Sequence, residues 1–419
     1  MSETYTRRVC PERLAPHLFF LCIITYIVAL FGRMSYSSVM AELIATEGFT
    51  KSQAGLIGTA LFATYGVCQI FSGFLGDKLD PKKMIAVGVA ASGALNIGMG
   101  LAGTLPVMLG LWMANGVFQS FVWSPVARIF AEFMPPAYRK GACANSAVAF
   151  PLATIFMYLA ASLLLQFADW RAVFILSGAA MLVCTAVWLN RMNYFQRMTE
   201  KHGPIETVTL NAAEAAASGS LLKVLLASGV MFAIFGSLTG GLLRDGIQSW
   251  VPTFMTERFG LSTALSVALA IALPVVNIGG VFGVKALAAR RIRNEMRGAA
   301  GFFLACIVCL ALLIPASGTS AVGSLLLMTA ASTCMVGSNT MFMNFMPVHF
   351  GTIGKVSSIT GVLNCASYVG SAISSYGIGH VAERFGWVAA IWVWLGFSAA
   401  AMVLAYGGVR RWGKYRHDL

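Results

Sequence analysis

The chain has 419 residues, 58% of them hydrophobic and 11% charged, where a soluble globular domain carries about 25% charged residues. That composition excludes a water-soluble domain and describes a chain whose solvent is lipid. The net charge of +13 would point to nucleic acid in a soluble protein, but here the basic residues follow membrane topology, and a nucleic-acid partner is excluded.

Apolar runs of spanning length, about 20 residues, recur from one end of the chain to the other. Twelve are predicted, over 16–40, 51–75, 83–103, 105–131, 142–166, 171–190, 221–254, 262–288, 299–316, 321–347, 356–380 and 387–408. No small-residue cleavage site follows the first, which reads as an uncleaved helix. Of the 29 Lys and Arg residues, 22 fall in the termini and even-numbered loops, four (Lys51, Arg171, Arg258, Arg384) in odd-numbered loops, and three (Arg33, Arg128, Arg244) inside spans. By the positive-inside rule both termini face the cytoplasm of a multi-pass cell-membrane protein. Nearly all nine cysteines sit in spans. The close pair Cys306-x-x-Cys309 has no second pair or His cluster to complete a metal site, so the cysteines read as packing residues.

In chain order, span one carries Tyr26 and, two turns later, Arg33 in Phe31-Gly32-Arg33-Met34-Ser35-Tyr36. A charge in the middle of a span costs about 2.5–3.5 kcal/mol on insertion scales and marks function by default. Span two sets Tyr65 and Gln69 one turn apart on one face. Its exit, Gly73-Phe-Leu-Gly76-Asp77-Lys78-Leu-Asp80-Pro81-Lys82-Lys83, resembles the signature loop between helices two and three of the major facilitator superfamily. Glycines there let helices approach closely, and Asp77 is suited to capping or pairing at the cytoplasmic face; Gly76, Asp77 and Lys78 thus read as a gating motif. Gln119, Trp123 and Pro125 mark span four, which ends in the i,i+4 pair Arg128/Glu132, expected to be a structural partner of the Asp77 loop.

Residues 192–220 read as a cytoplasmic linker with a short surface helix, between a bundle at 1–191 and another at 221–419. The halves echo each other: Gly73-x-x-Gly76-x-Lys78 recurs as Gly280-x-x-Gly283-x-Lys285, and Asp169-Trp170 and Gly386-Trp387 open spans six and twelve. Span seven holds the second intramembrane arginine, Arg244, followed by Asp245, Gln248 and Trp250; Asn339 and Asn344 polarise span ten, Asn364 and Tyr368 span eleven. In a six-plus-six repeat Arg33 and Arg244 are equivalent, and transporters built this way carry their substrate near the midplane. The fold class is therefore all-α, a polytopic membrane protein of twelve helices in two six-helix pseudo-repeats.

Two arginines suit one anion held by forked, charge-assisted hydrogen bonds, and phosphate has more oxygens for two forks than a carboxylate has. A pairing of Arg244 with Asp245 is expected to be awkward, because neighbouring helical residues point about 100° apart. Tyr26, Tyr65, Gln69, Gln119, Trp123, Gln248, Asn364 and Tyr368 together describe a polar, aromatic-lined cavity, although each taken singly also reads as helix–helix glue. There is no P-loop, no nucleophile–base pair and no His spacing for a metal, so the chain is expected to be neither an enzyme nor an ATP-driven pump, with no cofactor. Only Asp245 among the acids lies deep in a span, which favours anion exchange over a proton relay while leaving proton coupling open.

The stretch Leu243-Arg244-Asp-Gly-Ile-Gln-Ser-Trp250-Val-Pro252-Thr253-Phe is similar to the span-seven signature of the organophosphate:phosphate antiporter family of the major facilitator superfamily. Arg33, Tyr65-Gly66 and Gly354-Lys355…Gly361…Asn364…Tyr368…Gly370 extend the resemblance over nearly the whole chain. It implies the major facilitator fold, and Arg33 and Arg244 as the residues that bind the phosphate of a sugar or glycerol phosphate exchanged for inorganic phosphate. Where the glycerol-phosphate members of that family have a lysine on span two this chain has Gln69, and where they have a histidine on span five the chain has Phe150, which leaves room for a less charged ester, a phosphonate or a carboxylate. Gly32 lacks the acid that often precedes the span-one arginine in anion:cation symporters. The expectation is a secondary transporter working as a monomer in the lipid bilayer, exchanging a small phosphorylated anion for inorganic phosphate. A proton- or cation-coupled carboxylate symporter of the same fold and a transporter-like sugar-phosphate sensor are the alternatives.

Overall fold

The structure is a computed structural model that describes residues 2–211, 221–292, 294–353 and 356–417. The end of the linker, 212–220, the pair Gly354-Lys355, and the side chains of Asp77 and Lys78, with Gly73 and Gly76 beside them, lie outside the described residues. In chain order the elements are β1 (Ser2–Arg8), α1 (Ala15–Glu47), α2 (Lys51–Lys78), α3 (Pro81–Leu101), α4 (Leu105–Arg128), α5 (Pro136–Asn145), α6 (Ala149–Leu164), α7 (Trp170–His202), β2 (Ile205–Asn211), α8 (Leu221–Ser228), α9 (Val230–Phe259), α10 (Thr263–Ala270), α11 (Ala272–Arg291), α12 (Glu295–Ala316), α13 (Ala321–Asn339) and α14 (Val356–His417).

Among the described residues, nine helical segments are long and apolar enough to cross a bilayer. The last of them, Ser358–Tyr415, holds two predicted spans divided at Gly386, whose φ of 79° and ψ of 170° break an otherwise continuous helix. The helix Lys51–Lys78 and the shorter Ala149–Leu164 complete the predicted twelve. All-helical spans are what lipid demands, since a backbone group without a partner costs several kcal/mol there.

Polar caps set the starts of these helices. Asp80 accepts from the Lys82 amide with Pro81 at the first helical position of α3, and Asn294 accepts from the Arg297 amide at the start of α12. Spans three and nine, equivalent in the repeat, are thus capped alike. Spans four and ten also match: each ends in a π-helical turn, at Ile129–Phe133 and Thr340–Phe345.

Two features depart from the sequence reading. Span six, expected to end at 190, runs on as α7 to His202. Trp188, Met192, Phe195 and Thr199 keep a buried stripe at helical spacing, while Lys82 donates to Asn193 and Gln196, both at 2.9 Å. The rest of the described linker is no surface helix but the strand β2, paired antiparallel with the N-terminal β1 from Ser2↔Asn211 to Arg8↔Ile205. Glu206 anchors this ribbon, accepting from Arg7 at 2.9 Å and from Arg139 at 2.9 and 2.5 Å.

The chain divides into two compact units, the first of 1–36 and 67–213, the second of 37–66 and 214–419. The segment 37–66 groups with the C-terminal bundle rather than with its sequence neighbours. It does so because Thr59 donates to the Ala372 carbonyl at 2.6 Å, Ser52 to Glu383 at 2.6 Å, and Lys51 pairs with Glu257 at 3.0 Å. The first unit is packed around the aromatic run Tyr36–Trp112–Phe174–Trp170, with successive ring centroids 5.5, 5.6 and 5.9 Å apart. In the second, Trp250, Trp394, Trp412, Phe254, Phe303 and Phe342 are fully buried.

Candidate functional site

In the first unit Arg33 is buried at 7% exposure. Its guanidinium carbon lies 5.2 Å from the centroid of the Phe150 ring, a cation–π contact worth about 0.5–2 kcal/mol, more as water is excluded. Thus the position where glycerol-phosphate members of the resembling family have histidine holds a ring face against the arginine. The backbone around Arg33 is locked from two neighbouring helices. Asn96 of α3 and Asn115 of α4 both donate to the Gly32 carbonyl, at 3.2 and 2.7 Å, and Gln119 donates to the Ala29 carbonyl at 2.7 Å and to Ser92 at 2.8 Å. Ser35 donates to Asn96 at 2.8 Å. Gln119 therefore lies one turn from Arg33 with its amide nitrogen engaged by α1 and α3, and each such interhelical bond contributes about 0.6 kcal/mol in a membrane.

The structure brings Tyr26 and Trp123 together, rings 5.0 Å apart, and leaves Gln69 half-buried. At the end of span four Arg128 pairs with Glu132 at 2.8 Å and donates to the Leu79 carbonyl at 3.0 Å, so it holds the backbone just past the C-terminus of α2.

In the second unit the expectation that Arg244 and Asp245 would pair only awkwardly is overturned. Its Nε and Nη2 donate to Oδ1 and Oδ2 of Asp245 at 2.7 and 3.0 Å, a two-pronged pair between adjacent residues. The 100° offset between the two Cα–Cβ directions is spanned because the arginine has four rotatable bonds and the short carboxylate is held still from elsewhere. Ser371 of α14 donates its single hydroxyl proton to Asp245 Oδ2 at 2.6 Å, with the Ser367 carbonyl 3.0 Å away as the alternative acceptor. The aspartate side chain is 4% exposed and the arginine side chain 23%, so the pair buries its anion and leaves its cation reachable.

Glycines make this arrangement possible. A Cβ on Gly241 would meet the backbone of Ser367, and one on Gly370 the backbone of Leu238, so α9 and α14 touch main chain to main chain. Tyr65 and Tyr368 meet edge to face at 4.7 Å, and Gly66 allows it, since a Cβ there would stand 3.0 Å from the Tyr368 Cβ. Gln248, one turn beyond Arg244, is buried at 6% exposure; Asn364, one turn before Tyr368, is half-buried. Trp250 packs into the unit's aromatic core against Trp387 at 5.9 Å.

Two further residues join these, one that the sequence reading missed and one that it gave only as polarising span ten. Ser371 is one; the sequence signal for it is the helical repeat Ser367, Ser371, Ser374, Ser375 on one face of span eleven. Asn339 of α13 is the other. It is buried at 7% exposure, neither of its amide atoms has a hydrogen-bond partner, and its oxygen would lie 2.6 Å from a Cβ on Gly240, one turn before Arg244. Asn344, its counterpart in the sequence reading, is exposed.

A model of the Major Facilitator Superfamily matches residues 22–375. The chain belongs to that superfamily. Like other members it is a membrane transporter rather than an enzyme. It is similar to a probable hexose phosphate transport protein of Chlamydia trachomatis serovar D, 24% identical over 88% of this chain and 85% of that protein. It is likewise similar to the membrane sensor protein UhpC of Salmonella typhimurium, 25% identical over 93% of this chain and 88% of the other. Among solved structures, a bacterial homolog of the human lysosomal transporter Spinster shares the fold, with a TM-score of 0.77 at 14% identity, covering 96% of this chain and 98% of that one.

Proposed function

We propose that this major facilitator protein is a secondary transporter of a phosphorylated small metabolite, exchanged for inorganic phosphate across the cytoplasmic membrane by a monomer with both termini inside. Arg33 and Arg244 bind the phosphoryl oxygens, and Tyr26, Tyr65, Gln69, Trp123, Gln248, Asn364 and Tyr368 contribute polar and aromatic surface to the organic part. The observation that carries this reading is the pair of arginines at equivalent places in spans one and seven, each on a helix fixed in place by its neighbours. The similarity to a hexose phosphate transport protein supports a phosphate ester as the anion. Asn339, buried with both amide atoms open, fits a hydroxyl of such a substrate, because a buried amide without partners is costly unless a ligand supplies them.

Exchange of radiolabelled phosphate in phosphate-loaded proteoliposomes tests the proposal. Parent protein should exchange, while Arg33→Lys and Arg244→Lys, which keep the charge and lose the fork, should not. Absence of exchange in correctly inserted parent protein refutes it. A second reading, a sensor that binds a sugar phosphate without moving it, is favoured by the similarity to UhpC; saturable binding with no flux would select it.

A further inference from the structure

We infer that Asp245 is an internal counter-ion that stands in for the substrate on Arg244 whenever the carrier is empty, so that exchange is available to this transporter but not obligatory. This inference rests on the transport reading above and specifies how the span-seven arginine works within it.

A buried guanidinium without an anion is unfavourable. A carrier that relied on substrate alone to neutralise Arg244 would be held back from passing its empty form through the closed, dehydrated state between its two orientations. Such a carrier exchanges and does little else. Here a carboxylate already occupies the arginine fork, at 2.7 and 3.0 Å, and it is built in. It follows Arg244 directly in the helix and is almost fully buried, and Ser371 of the packed helix α14 holds its Oδ2 at 2.6 Å. The arginine is the more exposed partner, so an entering phosphoryl group meets the cation and displaces the carboxylate. Phosphoryl oxygens offer the same two-pronged acceptor geometry with more charge. After displacement Asp245 keeps the Ser371 hydroxyl, and when the substrate leaves, the carboxylate closes back on Arg244. Arg244 is then charge-compensated in the empty carrier and no longer holds back its return.

The test separates net flux from exchange in proteoliposomes loaded with radiolabelled phosphate. Efflux into phosphate-free buffer needs return of the empty carrier; efflux into buffer containing phosphate does not. Parent protein should show both. In Asp245→Asn the ratio of net efflux to exchange should fall by about tenfold or more, while phosphate binding to purified protein tightens by about tenfold, since no charge-assisted bond to Asp245 has to be broken first. Asp245→Glu, which keeps a carboxylate on the same helix, should restore a substantial part of the ratio. A merely structural pair would lower efflux and exchange together and leave their ratio and the binding unchanged; that result overturns the inference, as does a parent protein that exchanges phosphate but shows no net efflux. A parent protein with neither activity refutes the transport reading instead.

Discussion

Replacement of Gly370 by alanine tests whether the span-seven site depends on main-chain contact between α9 and α14. A Cβ at Gly370 would stand 2.8 Å from the Leu238 carbonyl carbon and 3.0 Å from the Leu242 amide nitrogen, with the Leu238 oxygen nearer still. Ordinary van der Waals contact begins near 3.4 Å, so the two helices must part by more than about an ångström to clear the Leu238 oxygen, and no side chain is there to swing aside. Overpacking of this kind costs about 1–3 kcal/mol, against which alanine returns about 1 kcal/mol of helix propensity. The expected net loss is therefore up to about 2 kcal/mol, a fall of up to about 2 °C in melting temperature for a chain of this length. Gly377 lies on the same helix with nothing within 4 Å of its would-be Cβ; Gly377→Ala should leave the melting temperature unchanged or raise it. The separation falls beside Ser371, whose 2.6 Å bond to Asp245 should be lost, so Gly370→Ala should also lower the ratio of net efflux to exchange. Thermal unfolding of detergent-purified variants, followed by intrinsic tryptophan fluorescence, gives the answer. Gly370→Ala melting at or above Gly377→Ala would refute the reasoning.

Further outcomes follow from the same geometry. Arg33→Lys and Arg244→Lys should each cut phosphate exchange by at least about a hundredfold, as expected when forked charge-assisted bonds worth about 1.5–3 kcal/mol apiece are lost; exchange that survives in either would remove that residue from the site. Asn339→Leu should raise the melting temperature, because an unpartnered buried amide costing about 1–3 kcal/mol is replaced by a hydrocarbon of similar size, and should weaken substrate binding; a lower melting temperature would show that the amide is satisfied. Outside the membrane, hydrogen bonds first from Arg139 and then from Arg7 hold Glu206 down to about 2 from its ordinary 4.5. A depressed carboxylate stabilises the fold fully above its unfolded value and loses that contribution as pH falls through the folded one. Hydrogen exchange in β1 should thus be flat from pH 8 to about 5, after correction for its intrinsic rate, and accelerate between about 4.5 and 2; Glu206→Gln should abolish the step.

Hydrophobic run length and the placement of lysine and arginine made twelve spans readable, because lipid imposes one length and one composition on any helix that crosses it. The repeat was readable for the same reason, and Arg33 and Arg244 stood out because a charge in a span is rare. What escaped depends on side chains longer or surroundings tighter than a pattern conveys. The Arg244–Asp245 pair looked awkward from Cα–Cβ directions alone; it forms because Ser371, far along the chain, fixes the carboxylate. The continuation of α7 past 190 was hidden by polar residues that surround a buried stripe, Trp188, Met192, Phe195 and Thr199, and β2 forms through pairing with the N-terminus, a partner about 200 residues away that no local propensity contains. Asn339 and Asn344 are alike in sequence, and only burial tells them apart.

The two arginines share a repeat position and differ in what faces them. Phe150 offers Arg33 a ring, an interaction that weakens little when an anion approaches, since guanidinium stacking does not itself use the in-plane donors. Asp245 offers Arg244 a full charge through those same in-plane donors, and an anion gains there only what it binds beyond the carboxylate it replaces. On the proposed transport reading, discrimination is expected at Arg244, where a ligand must outcompete a carboxylate held by Ser371. A monocarboxylate barely does so, having the same two oxygens and the same charge. A phosphoryl dianion does, by its second charge and third oxygen, so on the proposed reading an aspartate beside the span-seven arginine is expected to favour phosphate esters over carboxylates.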